Sequence, residues 1–431
     1  MSKNTNIAAG TANARTIVWL ILLVGLLVQS RTTLTSTENG TILSLFDFWA
    51  VWTFNFRAGG SAVFITLFDI VTPLMTLVAL IRGWIPAPSR RFYISVLLVA
   101  LAILAHTALL HYTSEQIVLS HLIKGTAKLF TLLILFACLY LIFSNPQLQA
   151  PPRAMIFGYF IVAIPLILYL HTIESIHSIE ALNREYLHFH SPIYFSRPNQ
   201  TFILLGLLFF LASNEEWQNF YIQRGIIVIV SLSISAICFG IHSKTPAVIG
   251  VVFAIWFALQ PQFLDSRFKG TMRFASLMVA AVLAVAGAYL IIYETSILPE
   301  IDSFQRSITV RLNLWDAGWS TFVSNFPLGA GAGQMGAALQ QDSWAAGESH
   351  LQVHNSFLHL AAELGIVGVA VGLGILWIVF QGARAWPGEL APLFLILALL
   401  PLVIHDGHSI RIWLLIAALG LERMHHRTTA D

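Results

Sequence analysis

The sequence predicts an all-α, polytopic membrane protein with about twelve transmembrane helices and one large loop on the outer face. Three observations lead there. Of 431 residues, 57% are hydrophobic and only 10% are charged, whereas a soluble chain carries about 25% charged residues. Apolar segments close to bilayer-spanning length recur from one end of the chain to the other. The basic residues between those segments are unevenly shared between the two sides. Together these exclude a soluble enzyme, a disordered protein and a nucleic-acid binder; a formal net charge of +2 gives no electrostatic case for DNA or RNA.

A spanning helix needs about 20 mostly apolar residues. Candidates lie near 16–30, 61–81, 93–113, 126–144, 154–171, 200–213, 225–241, 245–260, 274–293, 356–380, 390–404 and 410–421. The first follows Lys3 and Arg15, ends in Gln29-Ser30-Arg31 and has no small-x-small cleavage site close behind, so it reads as an uncleaved anchor. The aromatic stretch 42–56 carries Asp47 and is expected to be an interfacial helix. Cys138 and Cys238 lie in apolar runs and read as small packing residues. Asp69 and Lys128, inside apolar runs, read as packing or pairing residues.

With alternating spans and a cytoplasmic N-terminus, more of the Lys and Arg residues fall on the cytoplasmic side, among them Arg82, Arg90, Arg91, Arg153, Arg224, Arg384 and Arg423. This is the orientation that basic loops favour, with both termini inside. It leaves residues 294–355 as a long outer loop within a single membrane domain spanning 1–431. Loops of such length are usually functional. A shorter outer segment covers 172–198.

The long loop carries Arg306, Arg311, Trp315 and Trp319, then Asn325-Phe326-Pro327-Leu328-Gly329-Ala330-Gly331, then His354-Asn355 at the border of the next span. Gly331-x-Gly333-x-x-Gly336 fits a dinucleotide fingerprint letter for letter, but that fingerprint has meaning only between a strand and a helix of a βαβ unit. Here it reads as a Pro-initiated turn. His354 can take a proton at physiological pH or can simply hydrogen-bond a headgroup. Glu363 lies nine residues on. In a regular helix this places it 180° away from His354 and about 13 Å along the axis, so it faces elsewhere and pairs with Lys128, pairs with a loop arginine or serves substrate. Gly368-x-x-x-Gly372 reads as close helix packing. Arg306 and Arg311 can hold phosphate oxygens bidentately. Lys244, in the turn His242-Ser243-Lys244-Thr245-Pro246, and Arg197, before the span at 200, either snorkel or face an anion. Taken together, these residues describe an outward-facing cationic site with one histidine, suited to a lipid-linked, phosphate-bearing substrate. No Asp-x-Asp run or Asp/Glu–His cluster marks a metal site, and no cofactor is expected.

The run His354-Asn355-Ser356-Phe357-Leu358 followed by Glu363-Leu364-Gly365-Ile366-Val367-Gly368 resembles the HN-x-x-L…E-x-G-x-x-G signature of the O-antigen ligase and polymerase superfamily. Arg311-x-x-x-Trp315 followed by Pro327-Leu328-Gly329-Ala330-Gly331 is similar to that family's R-x-x-x-W…P-(L)-(F/x)-G-x-G pattern. Arg197-Pro198-Asn199 resembles its lead-in to a central helix. Ser243-Lys244-Thr245 falls where many members carry an arginine; lysine keeps the charge but not the planar fork. The motifs cover roughly 190–370.

The resemblance, closest to O-antigen ligase, implies a membrane-embedded GT-C-type glycosyltransferase, inverting and metal-independent, in the bacterial inner membrane with its site facing the periplasm. The donor would be an undecaprenyl-diphosphate-linked glycan. The acceptor would be a sugar hydroxyl of lipid A–core in a ligase, or another lipid-linked repeat in a polymerase. His354 and Arg311 would be catalytic, and Lys244, Arg306, Arg197, Asn355 and Trp315 substrate-binding. The chain's length and lack of a large C-terminal soluble portion argue against a protein O-oligosaccharyltransferase. A transporter of lipid-linked substrate would use the intramembrane charges Asp69, Lys128 and Glu363, but transporters commonly carry internal repeats and none is visible.

Overall fold

A computed structural model describes residues 2–28, 54–58, 61–65, 67–113, 119–165, 168, 196–214, 217, 220–240, 244–259, 298–335, 353–386, 390–404 and 411–430. These are helical apart from turns and one hairpin. The helices are α1 (Ser2–Val28), α2 (Leu67–Ile81), α3 (Arg90–Thr113), α4 (Leu119–Phe143), α5 (153–165), α6 (Ser196–Ala212), α7 (Phe220–Gly240), α8 (Lys244–Leu259), α9 (Leu298–Ser324), α10 (Ser356–Ala385), α11 (Ala391–Ile404) and α12 (Arg411–Ala430). The hairpin pairs β1 (Phe54–Ala58) with β2 (Ser61–Ile65), antiparallel, with Phe54 opposite Ile65 and Ala58 opposite Ser61.

Eleven of the twelve expected spans fall on helices; the twelfth, 274–293, lies outside the described residues. The stretch 42–56 departs from expectation: its described end, from Phe54, is a strand, and the span expected from 61 begins as β2 and turns helical only at Leu67. Alternating residues such as Phe54-Asn55-Phe56-Arg57 suit a strand's period of two, which the aromatic content of the stretch obscured. The segment 294–355, expected as a long loop, carries α9 over Leu298–Ser324.

Four helical stretches are long and apolar enough to cross a bilayer, namely Arg90–Thr113, Gly125–Phe143, Tyr221–Phe239 and Ser356–Ala385; five shorter apolar helices accompany them. α3 shows the physics most directly. Leu97, Leu98, Leu101 and Leu104 are each at least half exposed. In water that surface would aggregate, whereas a lipid-facing helix needs it. The chain is a multi-pass membrane protein.

α6 is the opposite case. From Phe202 to Ala212 it is apolar all round, and residues 201–212 are all buried, as expected of a helix at the centre of a bundle. Trp19 of α1 packs edge-on to Phe210 of α6 at 5.1 Å and near Phe143 of α4 at 6.0 Å. Phe209 meets Trp386, at the end of α10, at 4.8 Å.

Arginines collect at one end of this bundle. Arg15 donates to the carbonyls of Ala150 and Pro151, at 2.7 and 3.1 Å. Asn214 also reaches Pro151 O, tying the end of α6 to the same turn. Arg153 lies over Trp217, and Arg423 stacks 3.7 Å from the centre of Trp386. The turn after α2 joins them through Asn145 donating to Trp84 O. The end of α3, the start of α4 and the loop before α10 meet at the other end.

Candidate active site

At that second end, α10 is broken. Asn355 caps it: its side-chain oxygen accepts from the backbone N–H groups of Phe357 and Leu358, both at 3.1 Å. The helix runs only to Leu364. Gly365 then adopts φ +59° and ψ −133°, outside helical space, before the helix resumes. A side chain on Gly368 would run into Leu360 O, and one on Gly372 would meet the Phe357 ring at 3.2 Å. In a straight helix residues eight apart are about 12 Å apart. The two limbs therefore fold toward each other in a V with its vertex at Gly365. The second limb, 366–385, is about 30 Å long and spans by itself. The close packing expected of Gly368 and Gly372 is real, but the partner is the helix's own first limb.

The glycine-rich loop fills the vertex. Ala330 N–H donates to Ala362 O and Gly331 N–H to Glu363 O, both at 2.8 Å, and Ile366 N–H donates to Pro327 O at 2.9 Å. These are carbonyls and an N–H that the break in the helix exposes, and buried backbone groups need such partners. Gly329 (φ +80°) lies back to back with Gly365, where a Cβ on either would strike the other's backbone. The loop's far side packs on α4, where any side chain at Gly125 would collide with Ala332 and Gly333. His106 of α3 holds Leu328 O at 2.9 Å through Nε2. The Gly331-x-Gly333-x-x-Gly336 run is thus a docking surface for helices through its described part.

Glu363 sits beneath this loop, 8% exposed. Its carboxylate lies 3.3 Å from His359 Nε2, one turn earlier, and accepts from Met335 N–H at 3.4 Å and from the Gly333 backbone; Lys128 of α4 acts on it electrostatically. Of the partners considered from sequence, Lys128 acts on it electrostatically among the described residues. The regular helix assumed between His354 and Glu363 does not exist, because α10 starts at Ser356, after His354. His359 was missed, although His-x-x-x-Glu spacing on a helix places the pair on one face.

His354 precedes the cap with φ +51°, the one non-glycine with positive φ among the described residues. Its neighbour Val353 is fully buried with Leu314, Ala317, Met335 and Ala362, and Trp315 packs against that cluster. Gly318 allows α9 to approach this closely: a Cβ there would stand 3.0 Å from Val353 and 3.1 Å from Leu358. Arg311, Leu314, Trp315 and Gly318 fall at helical spacing i, i+3, i+4, i+7, so Arg311 and Trp315 share the face that backs the His354 segment. Arg311 is about 10 Å, two turns, from Gly318 along the helix. Arg306, five residues earlier on α9, is about 140° round from Arg311.

The structure therefore packs Trp315 of α9 against the cluster that holds Val353, the neighbour of His354, and gives Asn355 a capping role, while Arg311 lies one turn before Trp315 on α9. Lys244 opens α8, Arg197 lies in the first turn of α6 and Arg306 is in α9; the side chains of these three lie outside the described residues.

Residues 196–373 match the O-antigen ligase family. The matched segment runs from the first residue of α6 into the second limb of α10 and contains His354, the docked loop and the vertex. The match covers less than half of the chain; over that segment the chain is similar to the O-antigen ligase family, which supports a function of the ligase or polymerase type. His106, Gly125 and Lys128, which hold the loop from α3 and α4, lie outside it. No curated protein and no solved structure matches the chain.

Proposed function

We propose that the chain is an inverting, metal-independent glycosyltransferase that moves an undecaprenyl-diphosphate-linked glycan to a sugar hydroxyl of lipid A–core, on the periplasmic face of the bacterial inner membrane. His354 accepts the proton of the acceptor hydroxyl. The oxygen attacks the anomeric carbon opposite the diphosphate, the glycosidic bond to phosphate breaks, and undecaprenyl diphosphate leaves with the bonding electrons. Arg311 meets its charge, joined by Lys244 and by Arg306 or Arg197, and Trp315 lines the approach. Cations already in place where charge develops lower the barrier without reorganisation.

The observation that carries this reading is the conformation of His354. Left-handed backbone on a residue other than glycine costs energy, and such residues cluster where function requires them. Here the strain sits on an ionisable imidazole beside the arginine-bearing face of α9. Sidedness is supported by the arginines at the bundle's other end: if that end is cytoplasmic, His354 faces the periplasm.

The test is lipopolysaccharide from a deletion strain complemented with wild type or His354→Ala. Loss of all long glycan on lipid A, with lipid-linked polymer accumulating, is the ligase outcome. A single-repeat product makes the chain a polymerase. Wild-type glycan with His354→Ala overturns the base assignment.

A further inference from the structure

The loop that fills the vertex is held by a buried carboxylate that the transfer mechanism does not use, and a half-buried lysine whose charge acts on it comes from outside the family-matched segment. Glu363 takes N–H groups from both Gly333 and Met335. It therefore fixes the descending end of the loop, while its own carbonyl fixes Gly331. A carboxylate at this depth, among Ala362, Leu364 and Met335, is costly unless compensated. Compensation comes from His359 on the same limb and from Lys128 on α4. Lys128 is placed by geometry as well as charge. It stands one turn after Gly125, the residue on which Ala332 and Gly333 rest, so the same face of α4 presents the loop's seat and the balancing cation.

We propose that Lys128 is a positioning residue: from the face of α4 on which Ala332 and Gly333 rest, it balances the Glu363 carboxylate, holds the 329–335 loop in the vertex and so fixes Met335 and Val353, and through them His354, against α9. The link to His354 is physical, since Met335 and Val353 share one buried cluster with Leu314 and Ala317 of α9. The proposal rests on the active-site reading for its consequence in transfer, but the pin itself can be measured without transfer.

The prediction is coupling. Removing the lysine alone leaves a buried carboxylate undercompensated; removing both charges does not, because Gln at 363 still accepts from the loop's N–H groups. One partner's loss should cost more than the loss of both. Purified full-length protein with Met335→Cys, in a Cys138→Ala/Cys238→Ala background, reports the loop, since Met335 is 1% exposed. Maleimide labelling should be slow with Lys128 present, at least tenfold faster with Lys128→Met, and slow again when Glu363→Gln is added. Lys128→Arg should label slowly. In a transfer assay Lys128→Met should lower kcat more than it raises KM, and Glu363→Gln should restore part of the loss. Equal labelling in all four proteins overturns the pin, as does a double variant labelling as fast as Lys128→Met. A pin that behaves as predicted while His354→Ala still transfers overturns the active-site reading instead.

Discussion

Gly365→Ala tests the V-shaped helix directly. At φ +59° and ψ −133° an L-residue is strained by about 1–3 kcal/mol. The new methyl group would also run into Pro327 O and Leu328, which are backbone and cannot rotate away. Relief requires the loop to withdraw. That gives up the hydrogen bonds from Ala330 to Ala362, from Gly331 to Glu363 and from Ile366 to Pro327, each contributing about 0.5–1.5 kcal/mol net. Strain and lost bonds together come to roughly 3–7 kcal/mol. At about 1.4 kcal/mol per factor of ten, loop docking falls by at least about a hundredfold. The readout is glycan transfer by purified protein, with a monodisperse elution profile confirming that the bundle is intact. Gly374→Ala is the control. It lies in the same helix with nothing within 4 Å of an added Cβ, and should be neutral or stabilising by up to about 1 kcal/mol. Wild-type transfer by a folded Gly365→Ala protein would refute the docking of the loop into the break.

Other substitutions separate the roles. His354→Gln should abolish transfer while leaving binding of the lipid-linked donor nearly intact, whereas His359→Gln should retain transfer at a reduced rate; direct donor binding and turnover on the same preparations check both. Arg311→Lys keeps the charge but loses the bidentate fork, and should lower kcat/KM by about tenfold or more, since charge-assisted hydrogen bonds contribute about 1.5–3 kcal/mol. Asn355→Ala should destabilise the first limb of α10 by about 1 kcal/mol, and Asn355→Asp should preserve it; hydrogen exchange at Phe357 and Leu358 reads the difference.

The sequence made the helices legible because apolar runs in a chain this poor in charge have few alternatives to spanning. It also made the site's motifs legible, for a reason the structure supplies: Pro327-Leu328-Gly329-Ala330-Gly331 and Glu363-Leu364-Gly365-Ile366-Val367-Gly368 are two halves of one contact, and Gly329 and Gly365 mark the backbone surfaces pressed together there. What sequence could not show was the break itself. Apolar periodicity continues through Leu364-Gly365-Ile366, and a single glycine inside a helical pattern is ordinarily tolerated. The helix assumed from His354 to Glu363 failed for a different reason, since α10 starts only at Ser356. The hairpin at 54–65 was hidden by length, since two five-residue strands inside aromatic runs resemble a helix turn by turn. His106 and Gly125 were invisible as partners because they come from helices about 200 residues distant in sequence, and only the folded chain brings them to the loop.

Two histidines now compete for the role of base, and burial separates them. His359 has the partner usually sought for a catalytic imidazole, a carboxylate at 3.3 Å, and on a helix that arrangement invites assignment as an acid–base pair. Yet its Nε2 is turned to Glu363 and its Nδ1 is buried, so neither nitrogen is presented to an acceptor sugar. The carboxylate is equally committed, to two backbone N–H groups and to the charge on Lys128. That set holds the loop. His354 has its Nδ1 turned inward, but it lies outside the helix, half-buried, on a segment whose backbone is strained and whose neighbour is clamped to the Arg311 face of α9. A base must reach the proton it removes before its basicity matters. If His359→Gln proves as inactive as His354→Gln with the loop still docked by Met335→Cys labelling, the proton instead passes through the Glu363 pair and the vertex is the reaction centre.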